Sequence, residues 1–549
     1  MTIGGGRGSR KASGKATEKT SAKLSTGTRE FTRRARAERS RTARRQVGYR
    51  ARTGGQLPSL LELPRQALSR IPTAARACAL LAFLNAACWS LIAPPFQAPD
   101  EQAHFAYVQQ LAENGSPPRE NGESFSREEH VALRALRWQE VQLAPTAHTI
   151  SSLSEQRSLK QALSQPLSHS GSGEAGSASP EPPLYYALET IPYAFGSNGT
   201  ILERLELMRL LSALMAALTA LFVFLFLREA LPTVPWAWTV GGLGVALSPL
   251  FGFISGVVNP DAMLFAVSAA LFYCLALAFR RGLTQRLALV LGTVIAIGLV
   301  TKLNFLGMAP GAILGLCLLA CREARKSGPA AYYRLLVPAL AVALSPGVLY
   351  ALVNVLSSNH TFGFVSASIA SLTNGHKSLS SELSFIWQFY LPRLPGMHNY
   401  FGELSTTRQG WFDGLVGLYG WEDTVFPNWV YTLALIPATL IAVLCLRELA
   451  AGRVALRSRT GEILTYAAMT FGLLLVVAVS GYSTASTYPV AFIEPRYFLP
   501  MLALWGAVLA LAARGAGRRW GPVAGASIVV LIFAHDLFSQ LQVIARYYG

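Results

Sequence analysis

Long apolar runs recur along almost the whole chain beyond residue 76, and no other feature restricts the fold as strongly. A helix crossing the bilayer core needs about twenty apolar residues, because the backbone there has no water and must bond to itself. On that criterion, spans fall near 77–94, 207–227, 235–257, 261–279, 286–301, 304–321, 334–355, 428–446, 462–480, 497–513 and 521–541. The expected fold is therefore an all-α polytopic membrane bundle of about 11 transmembrane helices over residues 77–541. A composition of 52% hydrophobic and 14% charged residues excludes a soluble multidomain protein.

Several spans stop at basic clusters: Arg228, Arg280 and Arg281, Arg322 with Arg325 and Lys326, Arg447 and Arg453, and Arg514 with Arg518 and Arg519. Counting from a cytoplasmic N-terminus puts every one of these clusters on the cytoplasmic side, as the positive-inside bias requires. The same count leaves two large loops on the outer face, 95–206 and 356–427, and a short outer tail at 542–549. One missed span, or a re-entrant helix around Phe385–Leu391, could reverse the side of that tail. Within the first loop, a Ser/Gly/Gln-rich excursion from Ser151 to Ser179 is expected to be mobile. The second loop is rich in Trp, Tyr and Phe, as segments at a membrane interface are.

The formal charge of +18 is unevenly placed, with nineteen Lys/Arg against four Glu in residues 1–76. Small residues fill the gaps between those charges, so this stretch reads as a disordered cytoplasmic tail lying near anionic lipid headgroups. It has no aromatic-interleaved platform, only the isolated Phe31 and Tyr49, and no zinc-ligand spacing, which argues against specific nucleic-acid binding. The first apolar run begins near Ala77, too deep for a cleavable signal peptide. All six cysteines lie in apolar spans, so no disulfide framework is expected.

Directly after the first span comes Pro99-Asp100-Glu101-Gln102-Ala103-His104-Phe105-Ala106-Tyr107, an acidic pair followed by a histidine and aromatics. Two carboxylates at the mouth of a membrane suit proton abstraction or metal coordination. Taken alone, they suit a helix N-cap better, where negative charge complements the dipole, and the two roles can coexist. The same face carries Glu181-Pro182-Pro183-Leu184-Tyr185-Tyr186, Asn259-Pro260-Asp261, Lys302-Leu303-Asn304 and Glu494-Pro495-Arg496-Tyr497-Phe498-Leu499-Pro500. All eight histidines fall in the outer half, but none has the spacing of a zinc site, and metal ligands stay unassigned.

Taken in order, residues 99–107, 181–186, Leu299–Leu306 (LVTKLNFL), Leu391–Gly396 (LPRLPG) and 494–500 resemble an uncharacterised family of bacterial multispanning membrane proteins. That family is itself similar to the GT-C glycosyltransferases, which include protein mannosyltransferases and the aminoarabinose transferases of lipid A. The resemblance covers most of residues 77–541 and implies a GT-C-like bundle in the bacterial plasma membrane. It also implies an active site at an Asp or Asp-Glu pair in the first outer loop, which Asp100 and Glu101 match, and a polyprenyl-phosphate sugar as donor. Pro182 to Tyr186 match a recurrent element at the end of the same loop, so both loop ends are expected at one site.

The expected reaction is an inverting sugar transfer to a cell-envelope glycan, lipid or protein. Asp100 would be the base, and Glu101 would orient it or bind a divalent cation. Arg496 is the first choice to neutralise the leaving phosphate, followed by Lys302 and Arg393, because each lies near the outer end of an apolar segment. Each also fits a cation snorkelling into headgroups. His104, Tyr185, Tyr186 and Tyr497 complete the expected substrate site. A transporter or flippase is the rival class, although its intramembrane charges are nearly lacking in these span centres. A non-enzymatic envelope scaffold is the third reading, and in it the acidic pair is dispensable.

Overall fold

The computed structural model describes residues 71–118, 125–144, 146–165, 167–169, 176–356, 379–487 and 493–549. The basic tail lies almost wholly outside the described residues, as does part of the Ser151–Ser179 excursion. Residues from Pro72 to Gly549 form one compact unit.

Every apolar run forms helix. Among the described residues, nine helices are long and apolar enough to cross a membrane: Thr73–Ile92, Ile201–Ala230, Asp261–Arg281, Phe305–Ser327, Ala330–Val353, Asn428–Ala451, Thr460–Tyr482, Pro495–Gly515 and Gly517–Tyr548. The run read as 235–257 is instead a pair, Pro235–Ala246 and Pro249–Ser255, bent by 57°. Pro249 supplies the break, since its ring lacks an N–H and drives Ser248 into extended backbone with ψ 122°. The run read as 286–301 yields a 15-residue helix, Gln285–Leu299. At 1.5 Å per residue that helix is about 22 Å long, against a hydrocarbon core of about 30 Å. Among the described residues, the helices long and apolar enough to cross a membrane therefore number nine, or ten with the bent pair taken as one span, and the shorter Gln285–Leu299 helix joins the Arg281 end of the bundle to the Lys302 end.

Helix Asp261–Arg281 is the hub: 83% of its apolar window is buried, against 11% for Asn428–Ala451. An apolar helix buried on all sides belongs in the centre, and one exposed along an apolar surface faces lipid. The hub packs along Ile201–Ala230, which in turn packs on Thr73–Ile92. Helices Phe305–Ser327 and Thr460–Thr487 form a second close pair. At their crossing a Cβ on either Gly307 or Gly472 would strike the other residue's backbone, so only glycine permits this approach.

Two loop expectations change. The Ser151–Ser179 excursion contains a helix, Leu153–Leu163, started by a capping box between Ser152 and Glu155. Residues 542–548, read as a tail, continue the last helix to Tyr548. Tyr547 there is buried, and Arg546 donates to the Ala147 carbonyl at 2.6 Å and to Asp423 Oδ2 at 2.7 Å. The C-terminus thus sits against both large loops. Helix Leu379–Tyr390 has 12 residues and packs on Thr460–Thr487. The hairpin Leu418–Tyr419 with Thr424–Val425 completes the second loop as described.

Candidate functional site

Asp100 stands at the N-cap position of loop helix Glu101–Asn114 in the left-handed region, φ 62°, which Asp tolerates better than most residues. Its side chain makes no cap hydrogen bond, so the capping role expected from sequence is absent. Instead, Oδ1 accepts from the Ser177 hydroxyl at 2.8 Å and Oδ2 accepts from Arg496 Nη2 at 3.1 Å. The carboxylate keeps 29% of its surface exposed, whereas the Arg496 side chain keeps 4%. Burial works to raise the Asp100 carboxyl, but the Arg496 guanidinium and the Ser177 hydroxyl hold it below the usual carboxylate value.

Arg496 ties four segments together. Its Nε lies 3.1 Å from Glu494 and 3.8 Å from Asp261, and Asp261 in turn receives Lys302 Nζ at 2.8 Å. The Leu303 amide donates to Glu181 at 3.2 Å, which brings the end of the first loop to the same place. Asp261 opens the hub helix, where a negative charge also suits the helix dipole, and Asn259 Oδ1 accepts its amide at 2.9 Å. Burial raises Glu181 and Glu494 above their usual values, with Lys302 and Arg496 respectively opposing it. Asp100 is therefore the acidic group of the cluster that is both open to solvent and held ionised. Arg496 Nη1 is buried and has no hydrogen-bond partner among the described residues.

Glu101 has a different place from the one expected. It is completely buried and forms a two-bond pair with Arg209, Nε to Oε1 at 2.7 Å and Nη2 to Oε2 at 2.6 Å. The Val258 amide at 3.0 Å and the Phe96 amide at 2.9 Å take the remaining lone pairs. A carboxylate offers about four acceptor positions, and all four are filled, leaving none for an ion or for Asp100. Arg209 also donates to the carbonyls of Ser90 and Ala93 at 2.8 Å and of Pro94 at 3.1 Å. Glu101 and Arg209 together fasten the start of the loop to the bundle.

Aromatic side chains wall the cluster. His104 Nδ1 and the Tyr186 hydroxyl are 3.0 Å apart, and Tyr186 stacks on Tyr107 at 3.7 Å. Burial, with Lys302 and Arg496 adding to it against Asp100, pushes His104 down to about 3, so its ring is neutral at physiological pH. Tyr497 lies under both cations, 5.4 Å from Lys302 and 5.5 Å from Arg496. Tyr185 bonds Ser212 at 2.8 Å, which reaches Glu189 at 3.2 Å, so it belongs to the packing behind the wall. Arg393 is exposed and makes none of these contacts.

Glu181, Asp261 and Glu494 join the site without having been singled out as members, although each lies in a noted motif beside a proline. Arg209 was missed altogether. Among the described residues, no three His, Cys, Asp or Glu side chains come together in a way that would hold a metal ion.

Fold and site define an all-α, multi-pass membrane protein with a buried ionic and aromatic cluster at one end of its helices. A family model described as predicted membrane protein (DUF2142) matches residues 83–505, and the chain belongs to that family. Neither the curated proteins nor the solved structures gave a match. Membership agrees with the multispanning membrane family expected from the motifs and brings no activity with it.

Proposed function

We propose that the protein is an inverting glycosyltransferase, moving a sugar from a polyprenyl-phosphate donor to a cell-envelope acceptor. The observation that carries this is a half-open carboxylate, Asp100, bonded at 3.1 Å to a buried guanidinium, Arg496, with donor capacity to spare. An acceptor hydroxyl is a weak nucleophile near neutral pH, and a phosphate leaving group gathers negative charge. As the acceptor oxygen bonds to the anomeric carbon, the carbon–oxygen bond to phosphate breaks and the phosphate leaves with the electron pair. The acceptor proton passes to Asp100. A carboxylate this acidic takes a proton late, once the attacking oxygen carries positive charge. Phosphate beside Arg496 weakens its hold on Asp100 and raises that carboxyl, so donor binding strengthens the base. The motif order shared with the GT-C glycosyltransferases supports the same reading.

The orientation that fits is a cytoplasmic N-terminus with the Asp100 end outside, in a bacterial plasma membrane. It is supported by Arg280, Arg322, Arg325 and Arg459 lining one cavity at the other end of the helices. A membrane-impermeant maleimide should react with a Ser158→Cys variant in intact cells, since Ser158 is exposed on the first loop. Reaction only after permeabilisation would overturn the orientation.

Arg496→Ala should weaken donor binding as well as turnover, because the phosphate contact exists before and during transfer. A charge-assisted hydrogen bond contributes about 1.5–3 kcal/mol, so a loss of donor affinity of about tenfold or more is expected. Arg496→Lys, which keeps the charge without the fork, separates recognition from folding. Binding of a polyprenyl-phosphate sugar to purified protein is the measurement. No donor binding by wild type would sink the proposal in favour of a transporter or scaffold.

A further inference from the structure

At the end of the bundle away from Asp100, four helix ends line an open-mouthed cavity of about 510 Å³, within the range of ligand sites. The hub helix links the two ends, with Asp261 in the ionic cluster and Arg280 in its last turn on the cavity. Four arginines line the cavity, Arg280, Arg322, Arg325 and Arg459, against two glutamates, Glu229 and Glu462. The lining therefore carries an excess of positive charge. Phe279 and Leu318 give it an apolar wall.

Some of this charge is already committed. Arg459 makes a two-bond pair with Glu462 at 2.7 and 2.8 Å, and Arg280 meets Glu229 at 2.8 Å. Arg322 donates to the carbonyls of Phe279 at 2.8 Å and Ala278 at 3.1 Å, closing the hub helix. Its Nε is buried without a hydrogen-bond partner among the described residues and meets the Glu323 carboxylate only at 3.6 Å. Arg325 is exposed and has no ion-pair partner among them. Arg322 and Arg325 are three residues apart on one helix and so share a face.

We infer that this cavity binds a phosphate anion, with Arg325 as the uncommitted donor, the Arg322 Nε beside it, and an anionic phospholipid headgroup as its source. Planar guanidinium forks match phosphate oxygens, and basic pockets between the ends of membrane helices take lipid headgroups while the acyl chains stay in the bilayer. A cation that merely snorkels needs no cavity shared with other arginines and prefers no particular headgroup. The site is separate from the Asp100 cluster and stands whether or not that cluster transfers sugar.

Cys321 lines the cavity and is exposed, which makes it a local reporter, while Cys88 is exposed on another helix. Full-length protein in detergent would be treated with a small maleimide in dioctanoylphosphatidylglycerol, dioctanoylphosphatidylcholine or inorganic phosphate, and labelling at each cysteine followed by mass spectrometry. Phosphatidylglycerol should slow Cys321 by about tenfold at about ten times its Kd. Cys88 should be unaffected, phosphatidylcholine should have little effect, and Arg325→Gln should abolish the protection. Binding of lipid to the basic tail cannot produce that pattern. Protection by inorganic phosphate alone, lost in Arg325→Gln, would support the anion site with a soluble source. Equal protection by phosphatidylcholine, protection that survives Arg325→Gln, or no protection by either anion would overturn the inference.

Discussion

Asp100→Asn should lower turnover by about 10²–10⁴-fold while leaving the protein inserted, folded and able to bind donor. Asparagine keeps the size of the side chain and can still accept from the Ser177 hydroxyl, but it has neither the charge that meets Arg496 nor the basicity to take a proton. The structure makes this test cleaner than the sequence alone would, because the Asp100 side chain caps no helix whose loss would confuse the outcome. The assay is consumption of a polyprenyl-phosphate sugar by purified protein, with thermal stability followed in parallel. Transfer at close to the wild-type rate by a stable Asp100→Asn protein would eliminate Asp100 as the base.

The largest effect on stability is expected at Arg209. Arg209→Ala should destabilise the fold by about 3–5 kcal/mol, because removing one partner leaves a buried charge uncompensated. Glu101 has no exposed surface through which water could replace the guanidinium, and three carbonyls of the first-span exit lose their donor too. Arg209→Lys should recover only part of the loss, since an ammonium cannot reproduce the fork. Removing both charges, in Arg209→Leu with Glu101→Leu, should be milder than Arg209→Ala. Thermal melting in detergent is the measurement, and an Arg209→Ala protein that melts with wild type would show that the pair does not hold the loop.

What sequence revealed and what it hid follow from the range of the interactions. Apolar runs report their own burial, so each of the expected segments contains helix, and the spacing rules of a helix need no distant partner. Ser248-Pro249 is a local breaker inside such a run, yet the run's unbroken hydropathy conceals it. The Ser152/Glu155 spacing is a helix start in plain view, hidden by the polar composition around it. Asp100, Lys302 and Arg496 could be chosen from their positions at span ends, and they do converge. The partner of Glu101 could not, because Arg209 lies 108 residues away and only packing of the loop against the Ile201–Ala230 helix brings them together. Arg393 shared the positional signal of Arg496 and lacks its contacts, so position at a span end selects candidates without separating them.

The anchoring of Arg546 sets an order of events during synthesis. Its bond to the Ala147 carbonyl joins residues 399 positions apart in the chain. Membrane helices enter the bilayer as they emerge, and at about 5–20 residues per second the first loop waits about 20–80 seconds for that partner to exist. Through that interval the loop bearing Asp100 is already made but lacks its last fastening. A ribosome that stops short of Arg546 releases a chain with every other helix in place and this joint still open.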